Sequence, residues 1–518
     1  MNAVCLLSLV LSADPVQADY VLKGGTIYDG SGTPGFVGDL ALRGDRIVAV
    51  GKVEVKGDPK IIDCTGLFVT PGYIDLHTHS DSAMTEFSTK ANRNYVRQGV
   101  TTIITGNCGS GPVNADRYFS AMEKGGIGSN VLHQAPHNSI RAEAMGNVNR
   151  PPTAAELDKM RKLVDDAMSA GCWSLSTGLI YNPGTYSSTE EIIELAKIVA
   201  KHGGFYASHI RGEGTNVLTS IEEAMRIGKE AGIPVHISHI KASGRKAHGM
   251  SGDIIAIIER ARKSGQVVTA DQYPYDRSST SLRATVIPTK YREGSEADFV
   301  KRLGDPEVGA KIRQAILEDL KDMQNGATLR IARYSPKPQW QGLDIAAIAT
   351  KEGKEPLDIV LEIERNGGAQ IVHHSMNEED VRLLMKQQWV ATASDGSSMI
   401  PGKTVPHPRS YGCFARKIGR FAIQEKWLPV ELAIRSASGL PADILGLPER
   451  GYLKPGHFAD VVVFDSAAYR DTATFDKPHQ YATGAKWVFI NGKTAIADGK
   501  DTDALAGKVL RHERSERK

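Results

Sequence analysis

Two histidines one residue apart, His77 and His79, stand in "TPGYIDLHTHSD", Thr70 to Asp81, at the end of an apolar run. Strand side chains alternate faces, so both imidazoles point the same way and suit one metal ion. With 15 histidines in 518 residues, chance supplies about 0.4 such pairs, a real false-positive risk, and the assignment depends on further donors. They occur at comparable places: Cys108 in "TTIITGNCG", His209 in "YASHIRGEG", His239 in "VHISHIKASG" and Asp395 in "WVATASDGS" each close a strand-like segment. Taken singly, each has an ordinary explanation as a buried thiol, a core imidazole or a turn former. Recurrence of donors at equivalent strand ends points to metal instead. Cys108 with His209 and His239 is a three-ligand set that suits zinc and leaves a fourth position for water or substrate. His77, His79 and Asp395 make a second, harder set nearby, which a bridging thiolate could join to the first. Zinc lowers the pKa of bound water and polarises a carbonyl, while a carboxylate such as Asp395 takes the water's proton and delivers it to a leaving nitrogen. The chemistry expected is hydrolysis of an unactivated C–N bond, most simply an amide.

The elements that must position these donors alternate. Strand-like runs occur at residues 73–79, 101–107, 130–134, 173–177, 205–210, 235–240, 267–273 and 390–394, with helical segments between them. Two helices open on capping-box patterns, Thr153 with Glu156 and Ser188 with Glu191. Repeated β-then-α units imply a parallel sheet, and about eight of them suggest an α/β fold of the (β/α)8 TIM-like barrel type, whose active site lies at the C-terminal strand ends. The expected organisation is an N-terminal β-domain part at 19–70, barrel at 71–281, an inserted subdomain at 282–368, barrel again at 369–439, a C-terminal β-domain part at 440–500, and a tail at 501–518. The insertion is too long for a βα loop. The strand-like run "AQIVHHS" is a ninth candidate for eight barrel places.

Composition narrows the class. The chain carries 63 basic and 60 acidic residues, a net charge of +3, and no basic run with interleaved aromatics, so a nucleic-acid partner is not expected. No stretch after the N-terminus reaches the roughly 20 apolar residues of a membrane span. Residues 1–18 read as an export signal, apolar from Val4 to Leu11 with a small-residue cleavage site at Ala18, although no Lys or Arg precedes the apolar segment. An exported location is favoured over a cytoplasmic one. No feature specifies an oligomeric state.

The segments "GYIDLHTHSD", "TGNCG", "YASHIRGEG", "ISHIKASG", "DQYPY", "HHSMNEEDV", "ASDGS", "HPRSYGCFARKIG" and "LPERGYLKPGHFADVVVFD" together resemble the D-aminoacylase (N-acyl-D-amino-acid deacylase) branch of the metal-dependent amidohydrolases. The resemblance implies a tight zinc on Cys108, His209 and His239, a weaker site at His77, His79 and Asp395, and Asp395 as general base and then acid. It implies a small-molecule substrate, an N-acyl-D-amino acid, whose carboxylate is clamped by Lys241, Tyr273, Ser279 and Arg409. An arginine grips a carboxylate through two parallel N–H bonds and a lysine adds a point charge. Gly212 stands where the resemblance leads one to expect an acid, and Cys413 where it leads one to expect threonine. Glu213 is positioned to orient Arg211, and His374 to bond substrate or scaffold. With no extra basic group evident for an acidic side chain, apolar D-residues are the expected substrates; the alternatives are N-acyl-D-glutamate or D-aspartate, and a cyclic amide or imide.

Overall fold

The computed structural model describes residues 15–513. Residues 1–14, most of the proposed export signal, lie outside that range; Val16–Gln17 pairs in parallel with Val55–Lys56.

Nine short segments, two of them consecutive pieces of one run, form parallel ladders in chain order, eight runs in all. Tyr73–Asp75, Val100–Thr105 and Asn130–His133 make one. Ala135–Pro136, Ser174–Gly178, Phe205–His209, Val235–Ile237, Val268–Gln272 and Val390–Thr392 make the other. Segments 130–133 and 135–136 are one run interrupted at Gln134, whose side chain donates to Asn107 Oδ1 and accepts from Ser174 Oγ at 2.8 Å. At the other seam, past the ends of the first and last strands, Asp395 N donates to His77 O at 2.8 Å and His79 N to Gly396 O at 2.7 Å, around a Thr78–Gly396 bridge.

The helices between these strands form because their apolar residues share one face and their ends are capped. Ala154–Ser169 carries the complete Thr153/Glu156 capping box, and Ser188 accepts from Glu191 N to start Thr189–Lys201. Their inward residues, such as Met160, Val164, Ile192 and Val199, are buried in the same core as Val131, Leu175, Tyr206 and Val268 of the strands. Each fully buried aliphatic or aromatic side chain of this kind contributes about 1.5–3 kcal/mol.

Two other layers have cores of their own. The chain ends meet where Val461–Phe464 pairs antiparallel with Phe68–Pro71, in a nine-stranded sheet built from both termini. Leu22, Ile27, Leu40, Val69, Val461 and Phe489 are buried there. Between the seventh and eighth parallel strands, Arg277–Ser281, Leu329–Arg333 and Gln370–His374 make a small antiparallel sheet, with the last in the middle. The "AQIVHHS" run therefore joins this sheet, which leaves eight parallel runs without it. Trp340, Phe299, Ile312 and Ile359 are buried beneath the helices that accompany this sheet.

Candidate metal centre

Each of the six donors lies at or just beyond the carboxyl end of a parallel strand. His77 and His79 follow Tyr73–Asp75, Cys108 follows Val100–Thr105, His209 ends Phe205–His209, His239 follows Val235–Ile237, and Asp395 follows Val390–Thr392. Past the ladder the backbone is free to turn, and it does: Cys108, His239 and Asp395 have φ of 51°, 36° and 51°. Such left-handed conformations cost about 1–3 kcal/mol each for a residue with a side chain, and persist only where surrounding contacts impose them. Two impositions are visible: His239 N donates to Asp271 Oδ1 at 2.8 Å, and Asp395 N to His77 O. Around Cys108 the condition is close approach, since a Cβ on Gly178 would stand 2.2 Å from the Cys108 carbonyl oxygen.

The donors converge. Cys108 Sγ lies 3.3 Å from His77 Nε2, 3.5 Å from His209 Nδ1 and 3.6 Å from His239 Nε2. Asp395 Oδ1 is 3.1 Å from His79 Nε2 and 3.6 Å from His77 Nε2. Three sets have ligand atoms all within 4.8 Å of one another: His77, Cys108 and His239; His77, His79 and Asp395; and His209, Glu213 and His239. The thiol thus reaches ligands of both sequence-derived sets. All six are buried except His79, which is partly exposed. Among the described residues, His209 Nε2 is buried without a hydrogen-bond partner, a state that is rare unless the group serves another purpose, and His77 Nδ1 faces only the Asp271 carboxylate, at 3.4 Å.

Electrostatics suits a cation. Burial pushes His77 down to about 4, against the pull of Asp271 and Asp395, and burial together with His239 holds His209 well below the usual imidazole range. Both rings are therefore neutral near pH 7, the form that ligates metal. Burial and the Asp395 charge push the Cys108 thiol far up, with Lys241 opposing; a metal ion is what removes such a proton. Burial alone would raise Asp395, but Arg409, then His239 and His79, outweigh it and keep the carboxyl ionised. Soft sulfur, neutral imidazoles and one carboxylate fit a zinc-type centre.

The remaining expected residues adjoin this cluster. Lys241 Nζ donates to Glu213 Oε1 and lies 2.7 Å from His239 Nδ1. Arg409 donates to Asp395 Oδ2 at 2.7 Å and to Ser279 O at 3.3 Å. The Tyr273 ring packs against both cations, 4.8 Å from Arg409 and 5.7 Å from Lys241, and its buried hydroxyl has no partner among the described residues. Ser279 Oγ donates to Ile371 O at 2.8 Å. A cavity of about 510 Å³ opens onto the cluster, lined among others by His79, Cys108, Tyr181, Ser279, Asp395 and Arg409.

Sequence reasoning missed Asp271 and Arg333 and gave Glu213 another partner. Asp271 is a hub: its carboxylate meets His77 Nδ1 at 3.4 Å, His236 Nε2 at 2.8 Å and the His239 amide. It stands in the quoted "DQYPY", at a strand end, which was its signal. Glu213 faces His239 Nδ1 at 3.0 Å and Lys241, while Arg211 pairs with Glu223 at 2.9 Å instead. Arg333 reaches the cavity wall from the inserted sheet, and nothing local in the sequence marks it. His374 pairs with Asp276 at 3.0 Å.

A thiol, imidazoles and a carboxylate gathered at the carboxyl ends of parallel strands define a metal-dependent hydrolytic centre. Comparison with known proteins agrees. The amidohydrolase family model matches residues 60–496. The D-aminoacylase of Alcaligenes xylosoxydans xylosoxydans is 34% identical over 521 residues, 96% of this chain and 98% of the relative. A solved D-aminoacylase, described by its binuclear metal centre with one-metal activation and second-metal attenuation, is 33% identical at a TM-score of 0.81, covering 95% of this chain and 100% of that one. The N-acyl-D-glutamate deacylase of Bordetella bronchiseptica, solved with zinc and a phosphonate inhibitor, is 30% identical at 0.80, covering 96% and 100%. The chain belongs to the amidohydrolase family and, within it, to the D-aminoacylase branch.

Proposed function

We propose that this chain hydrolyses the amide bond of N-acyl-D-amino acids, releasing a carboxylate and a free D-amino acid. The observation that carries the reading is Asp395, held ionised by Arg409 and lining the cavity between His79 and Arg409, near the Cys108 thiol and its three histidines. Cys108, His209 and His239 would hold one zinc tightly, and His77, His79 and Asp395 a weaker divalent ion. When bound, zinc supplies water activation and carbonyl polarisation. Asp395 accepts the proton of the attacking water as a C–O bond forms at the acyl carbon, then gives it to the nitrogen as the C–N bond breaks. Its low pKa leaves it unprotonated for the first step.

Lys241, Tyr273, Ser279 and Arg409 would receive the substrate's carboxylate. Supporting this, Arg409 keeps N–H groups beyond those given to Asp395 and Ser279, and the Tyr273 hydroxyl stands unpaired beside both cations. The contacts at Gln134 and at Thr78–Gly396 support reading the eight parallel runs as one (β/α)8 barrel, with residues 282–368 as an insertion. Such closure would gather donors from strands one, two, five, six and eight at one mouth.

The test is a chiral panel. Purified zinc-loaded protein is incubated with N-acetyl-D- and N-acetyl-L-amino acids, and free amine is scored. Release from D-substrates is expected; release confined to the L series refutes the proposal.

A further inference from the structure

The cavity wall holds one arginine that the reaction does not use. Ser281, Gln370 and Arg333 lie side by side across the inserted sheet, since Gln370 pairs with Ser281 on one flank and Arg333 on the other. All three line the cavity. Their arrangement depends on an irregularity. Ile331 pairs with Ile371 and Arg333 with Gln370, so Ala332 is an extra residue in its strand. In a regular strand, neighbours point to opposite faces. Here both Ala332 and Arg333 line the same cavity, as a β-bulge permits; bulges near active sites re-aim side chains in this way.

Charge gives the re-aimed residue a purpose. Asp395 is the one carboxylate in the cavity lining, and Arg409 already pairs with it. Arg330 on the same strand pairs with Asp476 at 2.8 Å, whereas Arg333 is exposed and has no ion pair among the described residues. Among the described residues Arg333 is therefore the one cation of the cavity lining without an ionic partner, with Gln370 and then Ser281 beside it across the sheet. An apolar substrate side chain gains nothing from that wall.

We propose that Arg333, with Ser281 and Gln370, binds a second carboxylate on the substrate, making a dicarboxylic N-acyl-D-amino acid the preferred class. This rests on the deacylase reading above and replaces the apolar preference expected from sequence. A guanidinium presents paired N–H donors that match a carboxylate. The second carboxylate comes either from an acidic D-residue or from the far end of a dicarboxylic acyl group.

The test compares kcat/KM for N-acetyl-D-leucine, N-acetyl-D-glutamate and N-succinyl-D-leucine in the zinc-loaded wild type, R333K and R333Q. At least one dicarboxylic substrate is expected to exceed N-acetyl-D-leucine by about tenfold or more in the wild type, the size of one charge-assisted hydrogen bond. R333Q should collapse that ratio toward one and R333K should retain part of it. Preference for N-acetyl-D-glutamate assigns the side chain, and preference for N-succinyl-D-leucine the acyl group; both support the proposal. A wild type that favours N-acetyl-D-leucine over both, or a ratio unchanged in R333Q, overturns it. Because the readout is a ratio within one protein, partial misfolding does not alter it. No turnover of any of the three fails the deacylase reading itself, and this proposal with it.

Discussion

Replacing Asp271 by asparagine tests how the centre is held together. The Asp271 carboxylate touches two ligand-bearing segments at once, His77 through Nδ1 at 3.4 Å and His239 through its backbone N–H at 2.8 Å, and it anchors His236 at 2.8 Å. Burial opposes its charge, yet His77 and His236 outweigh burial and keep it ionised. Asparagine is nearly the same size and keeps one oxygen for the His239 amide, so the left-handed turn at His239 survives. What is lost is the negative charge that fixes the His77 ring and raises its basicity. Loss of a carboxylate behind a ligating histidine typically costs about 10–100-fold in metal affinity, or about 1.4–2.7 kcal/mol. The assay titrates metal-stripped wild type and D271N with zinc against a chromogenic chelator, with circular dichroism and Tm as controls for folding. A folded D271N whose zinc affinity stays within about twofold of wild type would refute the idea that this carboxylate orients the ligands.

Two further predictions concern stability. Lys417 is buried with no partner for its ammonium among the described residues, and burial pushes it down to about 7, with Cys413 opposing. The unfolded chain therefore binds an extra proton between about 7 and 10.5, so this group's penalty is full below that window and fades as pH rises through it. Lys417→Met should raise Tm at pH 6, by up to about 5 kcal/mol in stability, and clearly less at pH 9; calorimetry at the two pH values checks the order. Arg283 bonds the buried Glu364 at 2.6 Å and Glu296 at 2.6 and 2.7 Å. Arg283→Met leaves Glu364 as an uncompensated buried charge and should cost about 3–5 kcal/mol. Adding Glu364→Leu should restore much of the loss, and urea unfolding of the single and double variants measures both.

Much of the site was legible in the chain because its parts are local. The parallel segments announce themselves as short apolar runs, and the donors stand where each run ends, so strand position and ligand type could be read together. Two of the helix starts were equally plain, since Ser or Thr three residues before Glu needs only neighbours in sequence. The misreadings concern partners. The sequence pairs Glu213 with Arg211 two residues away, but Arg211 turns to Glu223, nearly two turns into the helix Val217–Ala231, and leaves Glu213 to His239 and Lys241.

By itself the sequence determined what the donors are and on which strand ends they stand, because backbone periodicity and side-chain chemistry are properties of short segments. Only the tertiary structure decided that Cys108 reaches donors of both candidate metal sets, that Asp271 bridges His77 and His239, and that Arg333 lines the cavity. Each of these depends on residues tens to hundreds of positions apart being brought within a few ångströms by strand pairing, left-handed turns and one extra residue in a strand. Register and bulges are set by packing across neighbouring strands, and no local pattern encodes them.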